Sequence, residues 1–258
     1  LGFGDAFVAK IGRTGELLYD ALIGGNDFDS ATGIRVDAAG NAFLAGWTYS
    51  NDLSYTDAYD GFPPQDHRTY GNPQARNAFV MELAASGSSI VYATVFSGSD
   101  SGPGRSTYAN ALALDAHGSV YVAGTTNCTD FPTTTGALQV SFGGAEDAFV
   151  SKFGPDGSMT YSTCLGGSSY DSAYAIAVDD AERAYVTGNT WLNGFPLEDN
   201  LNPEFTRGGA YLTVIERNGA SILYSTLLSN ASPEAYAGRA VAVDHEGSAY
   251  VGATGNPR

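Results

Sequence analysis

The 258-residue chain is poor in cysteine, in basic residues and in long apolar runs. Two cysteines, Cys128 and Cys164, are too few for a disulfide framework or a cysteine-rich zinc site. Only 12 Lys and Arg stand against 28 Asp and Glu, a formal net charge of −16. A nucleic-acid-binding surface needs a basic footprint to displace counterions from phosphates, so DNA and RNA are excluded as partners. The same charge opposes docking on an anionic membrane surface. No apolar stretch approaches the roughly 20 residues needed to cross a bilayer, and the expectation is a soluble chain without a transmembrane segment. Three histidines, His67, His117 and His245, are scattered, with no nucleophile signature beside them. Helical 3.6-residue periodicity is missing as well.

What the chain has in quantity is glycine (33), tyrosine (16) and a repeat. One segment reads Asp5-Ala-Phe-Val-Ala-Lys-Ile11, then recurs as Asn77–Leu83, Asp147–Phe153 and Gly209–Ile215. A second is Gly33-Ile-Arg-Val-Asp37, with counterparts ending at Asp115, Asp179 and Asp244. A third follows after a short turn, as in Val120-Tyr-Val-Ala-Gly124, and a fourth centres on Tyr19, Tyr92, Tyr161 and Tyr224. Repeat units start near 5, 77, 147 and 209 and fill one domain, 1–258. Each segment is short, rich in Val, Ile, Phe and Tyr, and bounded by Gly, Asp, Asn or Pro, which are strand signals.

The turns follow from side-chain chemistry. Asp37-Ala-Ala-Gly40, Asp115-Ala-His-Gly118 and Asp244-His-Glu-Gly247 begin with an Asp that hydrogen-bonds the turn and end with a Gly suited to positive φ. Asp179-Asp-Ala-Glu182 lacks that Gly, so a different or strained turn is expected there. The second segment alternates large with small apolar residues, implying burial on both faces; Arg35 breaks the pattern and is expected at a channel or an edge. Four repeats of four strands, buried on both faces, predict an all-β fold: a β-propeller of four four-stranded blades. With the Gly33–Asp37 segment called strand a, the Ala42–Gly46 segment b, the Phe7 segment c and the Tyr19 segment d, the chain begins with c-d and ends with a-b. Closure by pairing of these N-terminal and C-terminal strands is expected, with membership of a larger propeller as the alternative.

Asp-Ala-Phe-Val-(Ala/Ser)-Lys, Tyr161-Ser-Thr-Cys-Leu-Gly-Gly-Ser, Ile176-Ala-Val-Asp and Tyr121-Val-Ala-Gly-Thr-Thr resemble the bacterial SBBP-type β-propeller repeat, and the a-b portion resembles the NHL-type repeat. The resemblance is strongest in the third unit and weakest in the last. It implies a propeller in an extracytoplasmic protein, periplasmic, secreted or at the cell surface, and supplies no catalytic motif.

The long b-c connections, 49–76, 127–146 and 191–208, fall on one face, read here as the interaction surface. Its candidate partner-binding residues are Tyr55, Tyr59, His67, Arg68, Tyr70, Arg105 and Trp191. Each of these loops contains Phe-Pro (Phe62, Phe131, Phe195), an aromatic plug or a stacking platform. Asp29 and Asp171 share a repeat position and are weak Ca²⁺ candidates or turn caps; their counterparts Thr107 and Tyr236 break a ring of carboxylates. Cys164 aligns with Leu22, Val95 and Leu227 and is expected to be buried; both thiols are expected to be free. No cofactor or metal is assigned. The leading expectation is a noncatalytic scaffold or protein-interaction module, an accessory subunit of a larger complex. A glycan- or peptide-binding adhesin module is the alternative. A third is a hydrolase or lyase using loop carboxylates such as Asp57, Asp60, Asp66, Glu198 and Asp199.

Overall fold

The computed structural model describes residues 4–50, 53, 76–99, 104–230 and 236–254. Among them are sixteen strands and no helix. The first complete blade is β3 (Asp29–Val36), β4 (Ala42–Thr48), β5 (Asn77–Leu83) and β6 (Ile90–Phe96). The second is β7 (Thr107–Leu114), β8 (Val120–Thr126), β9 (Asp147–Phe153) and β10 (Met159–Leu165); the third is β11 (Asp171–Val178), β12 (Ala184–Thr190), β13 (Gly209–Ile215) and β14 (Ile222–Leu227). Each is a four-stranded antiparallel sheet with strands in chain order. Two further pairs, β1 (Ala6–Ile11) with β2 (Leu17–Ile23) and β15 (Ala237–Val243) with β16 (Ala249–Thr254), stand as separate two-stranded sheets.

The turn chemistry behaves as the residues require. Asp37, Asp115, Asp179 and Asp244 each accept the N–H four residues on, at 2.8–2.9 Å. Gly40, Gly118 and Gly247 take φ of 83–89°. Glu182 forms the same turn rather than a different one, by holding φ at 62°, a region that disfavours a side chain. The Gly inside strand b has another cause. A Cβ on Gly46, Gly124 or Gly188 would overlap the carbonyl oxygen of Ser30, Tyr108 or Ser172 on the adjacent strand a.

Blades stack through interdigitated apolar layers. Phe149, Phe153, Met159 and Cys164 of the second blade pack against Phe43, Val80, Tyr92 and Phe96 of the first. The opposite face of the second blade, with Ala148, Val150, Tyr161 and Leu165, packs against Ile176, Val186, Tyr211 and Ile215 of the third. Polar stitches reinforce each junction. Strand a bulges after Ala31 and Ala109, and the bulged Thr32 and Asn110 donate to the carbonyls of Ala109 and Ala173 in the next blade, at 2.6 and 2.8 Å. Arg35, which breaks the small-residue pattern of strand a, is exposed and donates to its neighbouring Ile34 carbonyl.

Among the described residues no sheet closes the ring expected from the sequence. No ladder joins β1 to β16 among the described residues. The half-blade β1–β2 rests on the first blade through Ala6, Val8 and Ile23, and β15–β16 rests on the third through Val241, Val243 and Val251. The outward faces of both remain open, which is why β1, β3, β15 and β16 carry apolar residues that their counterparts bury.

Candidate functional site

Two faces frame the stack. On one lie the tight a-b turns, and there the recurring aspartates meet the recurring tyrosines. The Tyr121 hydroxyl is 3.3 Å from Asp115 Oδ2 and 3.2 Å from the Glu182 carbonyl oxygen of the next blade. Tyr185 repeats this with Asp179, at 3.1 Å, and the Gly247 carbonyl, at 3.2 Å. Lys152 completes the first clasp: its Nζ lies 3.4 Å from Asp115 Oδ2, 2.6 Å from Glu182 Oε2 and 4.7 Å from the centre of the Tyr121 ring. Burial alone would push the Asp115 carboxyl up. The Ser119 and His117 N–H groups and the Lys152 ammonium more than offset that and hold it below the ordinary value. Tyr121 is pushed well above the ordinary phenol range by burial and by Asp115. These aspartates are structural clasps, and no sequence pattern announced the lysine.

On the other face lie the b-c and d-a connections. Two of the three Phe-Pro sites act as plugs: Phe131 stacks 4.8 Å from Phe149, and Phe195 lies 4.6 Å from Tyr211. Phe62 falls outside the described residues, as do Tyr55, Tyr59, His67, Arg68, Tyr70, Asp57, Asp60 and Asp66. Arg105 is part-buried and bonds the Asn127 carbonyl of its own blade. Glu198 joins Ser225 through an isolated backbone bridge. Trp191 is 40% exposed and lies 5.6 Å from Tyr170, itself 50% exposed, with Phe28 exposed at the matching position of the first blade. A box of Trp47, Tyr49 and Tyr108 surrounds the Arg76 guanidinium at 4.8–5.2 Å, and both tyrosine hydroxyls accept from it.

Asp29 and Asp171 are not brought together. Each starts strand a of a different blade, where one oxygen accepts a glycine N–H, from Gly25 at 2.9 Å and from Gly167 at 2.7 Å. Their cap role is explicit in this geometry, and among the described residues no group of three His, Cys, Asp or Glu is placed to hold a metal. Asp171 has a different neighbour that sequence reasoning missed, Asp147 at the start of β9. Asp147 Oδ2 accepts from Gly143 N–H and the Gln139 amide, while Oδ1 of both aspartates is buried without a hydrogen-bond partner. Burial pushes the Asp147 carboxyl up to about 6, against the pull of the Gly143 N–H, and the Asp171 charge adds to the rise. Cys164 and Cys128 are both buried and free; burial and the Asp147 charge push the Cys164 thiol up to about 12.

Repeated four-stranded antiparallel sheets, stitched face to face with an uneven loop side, define a repeat-built all-β protein of the propeller type. The SBBP beta-propeller repeat matches it at residues 92–132 and 160–196, which span the d-a-b strands of two successive units. Among solved structures, a protein of unknown function from Bacteroides caccae is similar at 13% identity and a TM-score of 0.34, over 84% of this chain and 73% of that one. No curated protein matches the chain. No helix among the described residues is long and apolar enough to cross a membrane.

Proposed function

We propose that the protein is a noncatalytic, extracytoplasmic scaffold or protein-interaction module, an accessory part of a larger assembly. Its architecture in this reading is a propeller in which β1–β2 and β15–β16 supply the c-d and a-b halves of further four-stranded blades. The observation that carries the reading is the contrast between the two faces. In the second and third blades the recurring Asp and Tyr residues, with Lys152, are occupied in holding blade to blade. The loop face instead presents the exposed aromatics Phe28, Tyr170 and Trp191 on rigid strand ends. Aromatic side chains bring large contact area at low entropic cost, as interface anchors do. Cross-linking of the purified protein into extract of its source, read by mass spectrometry, tests this. Partners captured by wild type and lost in a Trp191→Ala, Tyr170→Ala variant support the reading; identical capture by both refutes it.

The exposed Tyr170–Trp191 pair also favours a second reading, a glycan-binding adhesin module in which sugar rings stack on the pair. A glycan array discriminates: binding abolished by Trp191→Ala selects this reading, and a silent array removes it.

A further inference from the structure

The open ends of the stack carry matching halves of a junction that the chain builds in full elsewhere. The registers of β1–β2 and β9–β10 are the same: Phe7 opposes Leu22 as Phe149 opposes Cys164, and Ile11 opposes Leu17 as Phe153 opposes Met159. Phe149, Phe153 and Cys164 are sealed against the preceding blade. Their equivalents Phe7, Ile11 and Leu22 are exposed, Phe7 by 67% where Phe149 is 0%. Ile34 and Val36 on β3 continue this apolar face.

At the far end the complement is missing its cover. A groove of about 590 Å³, lined by Leu212, Tyr224, Leu228, Ala249 and Val251, runs beside the unpaired edge of β16. It lies where c and d strands of a fourth blade belong, on the third-blade face that β15–β16 only half covers. Tyr250 on β16 is 63% exposed, whereas Tyr121 at the same position of β8 is fully buried.

Charge completes the match. In the second blade, Asp115, Tyr121 and Lys152 form the clasp described above. Asp244 and Tyr250 already form its first two members, with the hydroxyl 3.1 Å from Asp244 Oδ2, and lack a lysine. Lys10 on β1 stands at the position of Lys152, its ammonium so far bonded to the Ala85 carbonyl. The corresponding c-strand positions of the other two blades are Glu82 and Val214, so among the c strands only β1 and β9 place a lysine there.

We propose that the β16 edge of one copy of this chain pairs with the β1 edge of a second copy, so that composite blades join two copies. Within one chain the two halves are carried on opposite ends of a three-blade stack and remain separate sheets. A second copy of this chain presents both complements at once, β1–β2 for β16 and β15–β16 for β1. Two copies joined reciprocally make eight blades, within the four-to-eight range that propellers use, and the two-fold arrangement pairs the open β1 and β16 edges of both copies. The Ala123↔Val150 pairing of the second blade sets the composite register, opposing Gly252 to Val8. The inference stands on the stack ends and is independent of the loop-face reading above.

The experiment measures the mass of the full chain, 26.8 kDa as a single copy, by light scattering on a gel-filtration column. It then oxidises a mixture of two single variants, Val8→Cys and Gly252→Cys. A twofold mass and a disulfide-linked dimer from the mixture, with neither variant cross-linking alone, are expected. A reversed charge, Lys10→Glu, weakens the dimer about tenfold or more, the effect of losing roughly 1.4 kcal/mol. Lys10→Arg, which keeps the charge at that position, leaves the dimer intact, and an unchanged urea midpoint for Lys10→Glu separates the lost charge from misfolding. A single-copy mass at about 100 µM, or an intramolecular disulfide in the Val8→Cys, Gly252→Cys double variant, overturns the proposal. So does an open-ended ladder of larger species.

Discussion

Replacing Asp147 with Asn removes a charge that the fold opposes. The Asp147 carboxyl is buried at the junction of the second and third blades beside Asp171, and its proton is held to about pH 6 against an ordinary value of 3.8. Below pH 3.8 both folded and unfolded chains carry the proton, and the position adds no penalty. Between 3.8 and 6 the unfolded chain releases its proton first, so stability falls as pH rises, and above 6 the loss is complete. A shift of about two units corresponds to about 3 kcal/mol, an upper figure because solvation at the site reduces it. Asn keeps an oxygen for the Gly143 N–H without the buried charge. Urea unfolding of wild type and Asp147→Asn at pH 3.5, 5, 6.5 and 8 is the assay. The variant is expected to gain 2–3 kcal/mol on wild type, by about that order, between the lowest and highest pH. The wild-type-minus-variant difference isolates this group from other carboxylates, including Asp179, which Arg183 and its own turn hold below the ordinary value despite burial. A difference that stays constant with pH, or moves in the opposite direction, refutes the reasoning.

Two further outcomes test the packing. Gly124→Ala places a Cβ into the Tyr108 carbonyl and against the Phe149 ring, so strands a and b must separate; a loss of about 2–4 kcal/mol in denaturant unfolding is expected, and a neutral result contradicts the close approach. Cys128 and Cys164 are expected to resist a thiol reagent in the native protein and both to react once it is denatured, because both are buried out of its reach and burial also pushes the Cys164 thiol up; rapid native labelling of Cys164 contradicts its place in the core.

The fold was legible in particular residues. Asp115 and Gly118 specify a turn by local hydrogen bonding and φ, and the structure forms that turn at all four positions. The exception at Glu182 was visible as a missing glycine, but its outcome was not: the neighbouring strands impose the turn on a residue that resists it. Burial of Cys164 followed from its alignment with the apolar Leu22, Val95 and Leu227, although Leu22, on the open β1–β2 end, is exposed. The candidate site was much less legible. Trp191 read as an exposed aromatic and is one, yet its pairing with Tyr170 depends on how two connections of one blade converge. The Lys152 clasp, the Asp147–Asp171 pair and the Arg76 box each join residues from two blades, and contacts between blades leave no spacing signal in the chain.

The amino-acid order alone therefore determined the strands, their turns, the fourfold repeat and which faces are apolar, because these depend on residues within a few positions of one another or on recurrence. Only the tertiary structure decided which aspartates are clasped and which are buried against another acid. It also decided that β1–β2 and β15–β16 stand as separate sheets among the described residues, because pairing between strands far apart in the chain depends on how whole blades pack and no local segment encodes it.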